Sequence, residues 1–184
     1  MRKVITLITQ LSLSCGISDW RQSGYNLRQV KQHFRKTQIK GGCKKPEQAS
    51  TEGRRKQQEK QIKKREEAVK SYLDVCEKYL RKARETQEKL SNTALNPIVL
   101  ALQTEIEIYM QHARRQMDQI RRRQLEGEVI PHAEKVFSLF EPHTEWIVKG
   151  KAGVPVELGL RVCVVEDQYQ FILNHQVMRQ QKKI

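Results

Sequence analysis

The stretch VKSYLDVCEKYLRKARETQEKLSNTALNPIVLALQTEIEIYMQHARRQMDQI, Val69 to Ile120, decides the fold. In its first half Val69, Tyr72, Leu73, Cys76, Tyr79, Leu80, Ala83 and Leu90 recur at helical spacing and line one face of an amphipathic helix. The pattern breaks between Ser91 and Pro97. Asn96-Pro97 reads as a turn, and proline suits the first turn of a new helix. A second stripe then runs through Ile98, Leu102, Ile106, Tyr109, Ala113, Met117 and Ile120. Two long helices with so short a break are expected to fold back as an antiparallel hairpin and bury the stripes against each other. The stripe residues read as core, or as the seam of a plain helical spacer, and not as a site.

Downstream of Glu126-Gly127 the helical period is lost and short β-type runs replace it: Lys135 to Phe140, Glu145 to Val148, Val156 to Val165 and Phe171 to Met178. In VELGLRVCVV, residues 156, 158, 160, 162 and 164 share a face, and Asp167 to Gln170 is a natural hairpin connection. A small antiparallel β-meander is expected, with little chain left to cover it. Upstream, Val4, Ile5, Ile8 and Leu11 form the stripe of a packing helix that stops near Cys15-Gly16. A second helix is expected from Asn26, as N-cap, through Leu27, Val30 and Phe34, ending before Gly41-Gly42. Pro46 to Gly53 reads as loop, and a polar, lysine-rich helix resumes near Arg54. The reading is an α+β chain in three parts: 1–53, short helices and a basic loop; 54–126, a basic helical hairpin; 127–184, a β-meander with a polar tail.

Charge separates these parts. The 184 residues carry a formal net charge of +14. Arg28 to Lys70 holds fifteen Lys and Arg against five Asp and Glu, whereas Gly127 to the end holds seven of each. Basicity this local favours a surface that meets a polyanion, although a solvated linker would look similar. Residues 28 to 70 carry few large apolar side chains for insertion into an acidic membrane. Candidate phosphate contacts are Arg54, Arg55, Lys56, Lys60, Lys63, Lys64 and Arg65, with Lys149 and Lys151 further on. Arg114, Arg115, Arg121, Arg122 and Arg123 crowd the end of the second long helix, where they could meet phosphate or complement the helix dipole.

Cys15, Cys43, Cys76 and Cys163 are too scattered for a disulfide scaffold or a zinc site, so reduced thiols in the cytoplasm are expected. His132 and His143 lack a ligand-type partner one helical turn away, and no metal site is expected. Arg2-Lys3 before an apolar run suggests a signal peptide, but Thr6, Thr9, Gln10 and Ser12 interrupt it and no cleavage pattern follows. No run approaches the roughly 18 apolar residues of a membrane span.

Three motifs in order carry a resemblance: FSLFEPHTEW at Phe137 to Trp146, Lys149-Gly150-Lys151, and PVELGL at Pro155 to Leu160. Together they resemble a segment of DDE-type insertion-sequence transposases, closest to the ISNCY-like group, and YLDVCEKYLRKARETQEKL from Tyr72 to Leu90 looks like that family's upstream helices. The resemblance implies an RNase H-like catalytic domain interrupted by a helical insertion, with the helices up to about Arg123 as the insertion and the meander as the following strands. It implies DNA as partner, and a parent chemistry of DNA transposition by phosphoryl transfer with divalent metal such as Mg.

The first catalytic acid of such proteins would lie upstream of Met1, and the other two beyond Ile184. None has a matching position here, so a truncated fragment is expected, with no catalysis and no cofactor of its own. Glu166-Asp167 is the only acidic pair near a strand end, and Asp167 reads as a turn former. The rival readings are a stand-alone basic helical module that binds nucleic acid or another partner, and an active nuclease. Self-association through the helices or the sheet is possible in either non-catalytic case.

Overall fold

The computed structural model describes residues 1–38, 52–90, 96–141, 143–150 and 153–178; the side chains of residues 54 and 133 lie outside that description. It divides into two compact units, Met1–Pro131 and His132–Ile184. The fold is α+β, with the helices in the first unit and the strands in the second.

The first unit holds α1 (Arg2–Ser14), α2 (Ser23–Thr37), α3 (Glu52–Leu90) and α4 (Pro97–Gln124). α1 is a packing helix: Val4, Ile5, Leu7, Ile8 and Leu11 are buried. α3 buries its expected stripe, including Val69, Leu73, Cys76, Leu80 and Ala83; α4 buries Ile106, Ala113 and Met117 as expected, but Ile98 is 67% exposed, and Val99 and Met110, outside the expected stripe, are buried instead. The turn chemistry between them is as read: the Asn96 side chain accepts from Ile98 N at 2.9 Å, and Pro97 sits in the first turn of α4. The hairpin does not stand apart from the chain before it. Residues of all four helices share one hydrophobic core, so segments 1–53 and 54–126 contribute to a single unit.

Three long-range hydrogen bonds fix how the chain from Trp20 through α2 lies along α3. Trp20 Nε1 donates to Thr86 Oγ1 at 2.9 Å, the Tyr79 hydroxyl donates to Asn26 Oδ1 at 3.1 Å, and His33 Nδ1 lies 3.0 Å from Ser71 Oγ. As one partner advances along the chain the other recedes, so the two segments run antiparallel. The Asn26 contact also corrects the expected helix start. α2 begins three residues earlier, at Ser23, and Asn26 is a buried member of the helix. Its amide serves a tertiary partner instead of capping, because an unmet Tyr79 hydroxyl inside the core would cost more than a lost cap. α4 is likewise antiparallel to α3: Gln87 donates to Gln103 O at 3.2 Å near one end, while Val69 and Ile120 line one cleft near the other.

In the second unit a single 3-10 turn, His132–Glu134, precedes β1 (Glu145–Val148), β2 (Val156–Gly159), β3 (Val162–Glu166) and β4 (Ile172–Val177). The expected continuous meander is instead two two-stranded antiparallel sheets, β1-β2 and β3-β4. VELGLRVCVV breaks at Leu160-Arg161, which belong to neither strand. Lys135 to Phe140 is not a strand. Phe137 there packs its ring against His132 at 5.0 Å and Trp146 at 5.8 Å, a local aromatic cluster in place of a ladder. Every residue of β3 and β4 is exposed, with Leu173 and Ile172 each at 65%. No helix among the described residues is long and apolar enough to cross a membrane.

Ile106 is fully buried in the helical core. Ile106→Ala is therefore expected to lower the unfolding free energy of the helical unit by about 2–5 kcal/mol in urea titrations followed by circular dichroism. A loss below about 1 kcal/mol would contradict this packing.

Candidate nucleic-acid interface

α3 is longer than its partners need. From Val69 onward its inner face is buried, but from Glu52 to Glu67 none of the described side chains is fully buried. Lys56, Lys60, Lys63 and Lys64, spaced at four, seven and eight residues, fall on the helix face turned away from Val69, Leu73 and Cys76. All four are exposed and border one open groove, with Glu59 and Glu67 set among them. Lys56 pairs with Glu52 at 2.9 Å, and both side chains are more than three-quarters exposed. Such a pair contributes about 0–1 kcal/mol and gives way readily to a phosphate.

The other candidates divide. Arg55 is exposed beside the lysines. The Arg54 side chain and the whole of Lys151 lie outside the described residues. Lys149 is held within its own hairpin: its backbone N–H donates to Pro155 O at 3.0 Å and its ammonium pairs with Glu157 across β1 and β2. Arg65 turns inward, half-buried with its Nε covered, and lines a cleft between α2, α3 and α4.

That cleft has a volume of about 180 Å³. Its walls are Phe34 and Thr37 from α2, Val69 and Tyr72 from α3, and Ile120 from α4. The Phe34 and Tyr72 rings lie 5.6 Å apart at 56°. Burial pushes the Tyr72 phenol well above its ordinary value, and the neighbouring Cys76 adds to the shift, so the ring stays neutral. Burial likewise holds Cys76 as a thiol.

The antiparallel arrangement brings two helix C-termini to this cleft, and both are basic. Arg35 and Lys36 occupy the last turn of α2, and Arg121, Arg122 and Arg123 that of α4. Arg122 is engaged internally: Nε and one terminal nitrogen reach the Glu128 carboxylate at 2.7 and 2.6 Å, and Asp118 lies at 3.4 Å. Hydrogen bonding to Arg122 holds the Glu128 carboxyl below its usual range. The contact is thus fully present at neutral pH and is lost only as acid titrates through that lowered value. Arg35, Lys36, Arg121 and Arg123 are exposed. Sequence reading found the lysines of α3 but not this cleft, because nothing in a linear sequence brings Phe34, Tyr72 and Ile120 to one place.

No three or more His, Cys, Asp or Glu side chains among the described residues are grouped so as to hold a metal ion. Asp167 is occupied as a turn former: its Oδ1 accepts from Tyr169 N at 2.8 Å and Phe171 N at 2.9 Å. The described residues therefore do not fit a divalent metal. No protein-family model, curated protein or solved structure matches this chain.

Ligand binding to the folded state raises the melting temperature, and these residues offer magnesium no site. Millimolar MgCl2 is expected to leave the Tm unchanged once ionic strength is matched with NaCl. A rise of several degrees would reveal convergent carboxylates that are not grouped among the described residues.

Proposed function

We propose that this chain is a transposase-related segment that grips DNA through its phosphate backbone, contributing contact rather than phosphoryl transfer, in the bacterial cytoplasm. The observation that carries the DNA contact is the exposed face of Lys56, Lys60, Lys63 and Lys64 on the part of α3 that extends past the core. An uncovered row of ammonium groups suits a ladder of phosphates and carries no base information. The transposase relationship rests on the motifs at Phe137 to Trp146, Lys149 to Lys151 and Pro155 to Leu160.

The contrast between the two units also bears on the reading. A helical unit with a shared core beside a hairpin whose strands are exposed throughout is what a segment of a larger fold would present. The same closed helical core favours a second reading, a basic helical module that binds nucleic acid by itself. Both readings place the contact on α3.

Duplex binding measured by fluorescence anisotropy is expected to weaken steeply with NaCl. The log–log slope should be about −3 to −4 if the four lysines each meet a phosphate. Lys60→Gln should reduce that slope by about 1 and weaken binding equally for unrelated sequences. Lys149→Gln should leave it unchanged, since Glu157 already holds that ammonium. Binding that ignores salt, or no binding at low salt, would contradict the proposal.

A further inference from the structure

We propose that the cleft between α2, α3 and α4 takes one unpaired base of a DNA strand, so that the protein prefers single-stranded DNA over intact duplex. This inference rests on the phosphate-binding reading above and adds to it a second, chemically different subsite.

The cleft joins two features that serve different parts of a nucleotide. One side of its wall is apolar and aromatic, with Phe34 and Tyr72 as neighbouring rings and Val69 and Ile120 beside them, and Thr37, Arg65 and Gln124 complete the lining. A volume of about 180 Å³ admits one flat ring system, not a base pair. Phe34 stays 44% exposed at the mouth, where a stacking partner can reach it. The last turns of α2 and α4, which end at this cleft with Thr37 and Gln124 in its lining, add exposed cations: Arg35 and Lys36 on one, Arg121 and Arg123 on the other. A lone apolar ligand would leave the cations unused, and a lone phosphate would leave the rings unused. A nucleotide uses both, with its base on the aromatic wall and its flanking phosphates on the rim. Arg65, which also lines the cleft, adds a planar cation of the kind that stacks on bases.

Helix dipoles account for part of this charge without any ligand, because cations are favoured in the last turns of α2 and α4. They do not account for Arg65. It lies in the interior of α3, far from either of its ends, yet lines the cleft. Nor does a dipole call for an open aromatic wall.

The test uses the full chain and fluorescein-labelled strands of about twelve nucleotides: an all-thymidine strand, one of equal charge with a run of abasic sites, and the thymidine strand paired as duplex. Stacking one base on an aromatic side chain changes affinity by roughly tenfold. Wild type should bind the thymidine strand about tenfold more tightly than the abasic strand and more tightly than the duplex. Phe34→Ala should lose that factor on the thymidine strand and nothing on the abasic one, and Phe34→Trp should restore it. Phe34 is exposed enough for the alanine variant to fold, which its circular dichroism will verify. Equal affinity for the thymidine and abasic strands, with salt dependence intact, overturns the base subsite and leaves phosphate binding standing. Absence of binding to every strand at low salt overturns both.

Discussion

One buried hydrogen bond, from the Tyr79 hydroxyl to the Asn26 amide oxygen, sets where α2 lies along α3. Apolar surfaces can slide past one another at small cost, but a phenol and an amide enclosed in the core must find each other in one register or remain unmet. Trp20 on Thr86 and His33 on Ser71 hold the same register on either side. The Lys82 ammonium, 4.6 Å from the Trp20 ring and 2.6 Å from Asp19 O, closes the end near Thr86. A slip of one helical turn would break all of these contacts together, and would carry Phe34 away from Tyr72.

From that register follows the placement of charge. α2 ends beside the middle of α3, α4 ends there too, and the last turns of both, each basic, reach the cleft that holds the Phe34–Tyr72 pair. Mutual repulsion among these cations works against folding, and the structure offsets part of it by tying Arg122 to Glu128 and Asp118. The exposed remainder makes this end a focus of positive potential, and a strand of phosphates would relieve the repulsion as it binds. Stability and ligand affinity are linked here: what the helical unit loses to crowded charge, a polyanion returns on binding.

Much of this helical architecture was legible because it rests on periodicity. The stripe of α3, the middle of that of α4, the Asn96-Pro97 break and the packing face of α1 follow from spacing, whereas in the first turn of α4 Val99 is buried and Ile98 is not. Asn26 misled because a good capping residue is equally a good buried partner, and only the fold reveals Tyr79 opposite it. KVFSLF and VELGLRVCVV misled for a related reason: a short apolar run scores as strand whether or not a neighbouring strand is in place to pair with it. Phe137 found aromatic partners instead, and Leu160-Arg161 divided what alternation joins. At the site, Lys56 to Lys64 were visible as a basic helical face. Arg65 was counted with them, although its angular position turns it inward with Val69 and Tyr72. The cleft itself was invisible, being assembled from residues as distant as Phe34 and Ile120.

The measurement that tests this account most directly is photo-cross-linking of a 5-iodouracil strand to the full chain, with the attached peptides mapped by mass spectrometry. Attachment at Phe34 or Tyr72, abolished by high salt, is the expected result. Attachment confined to Trp146, Tyr169 or Phe171 of the β unit, or none above a non-nucleotide control, would contradict it.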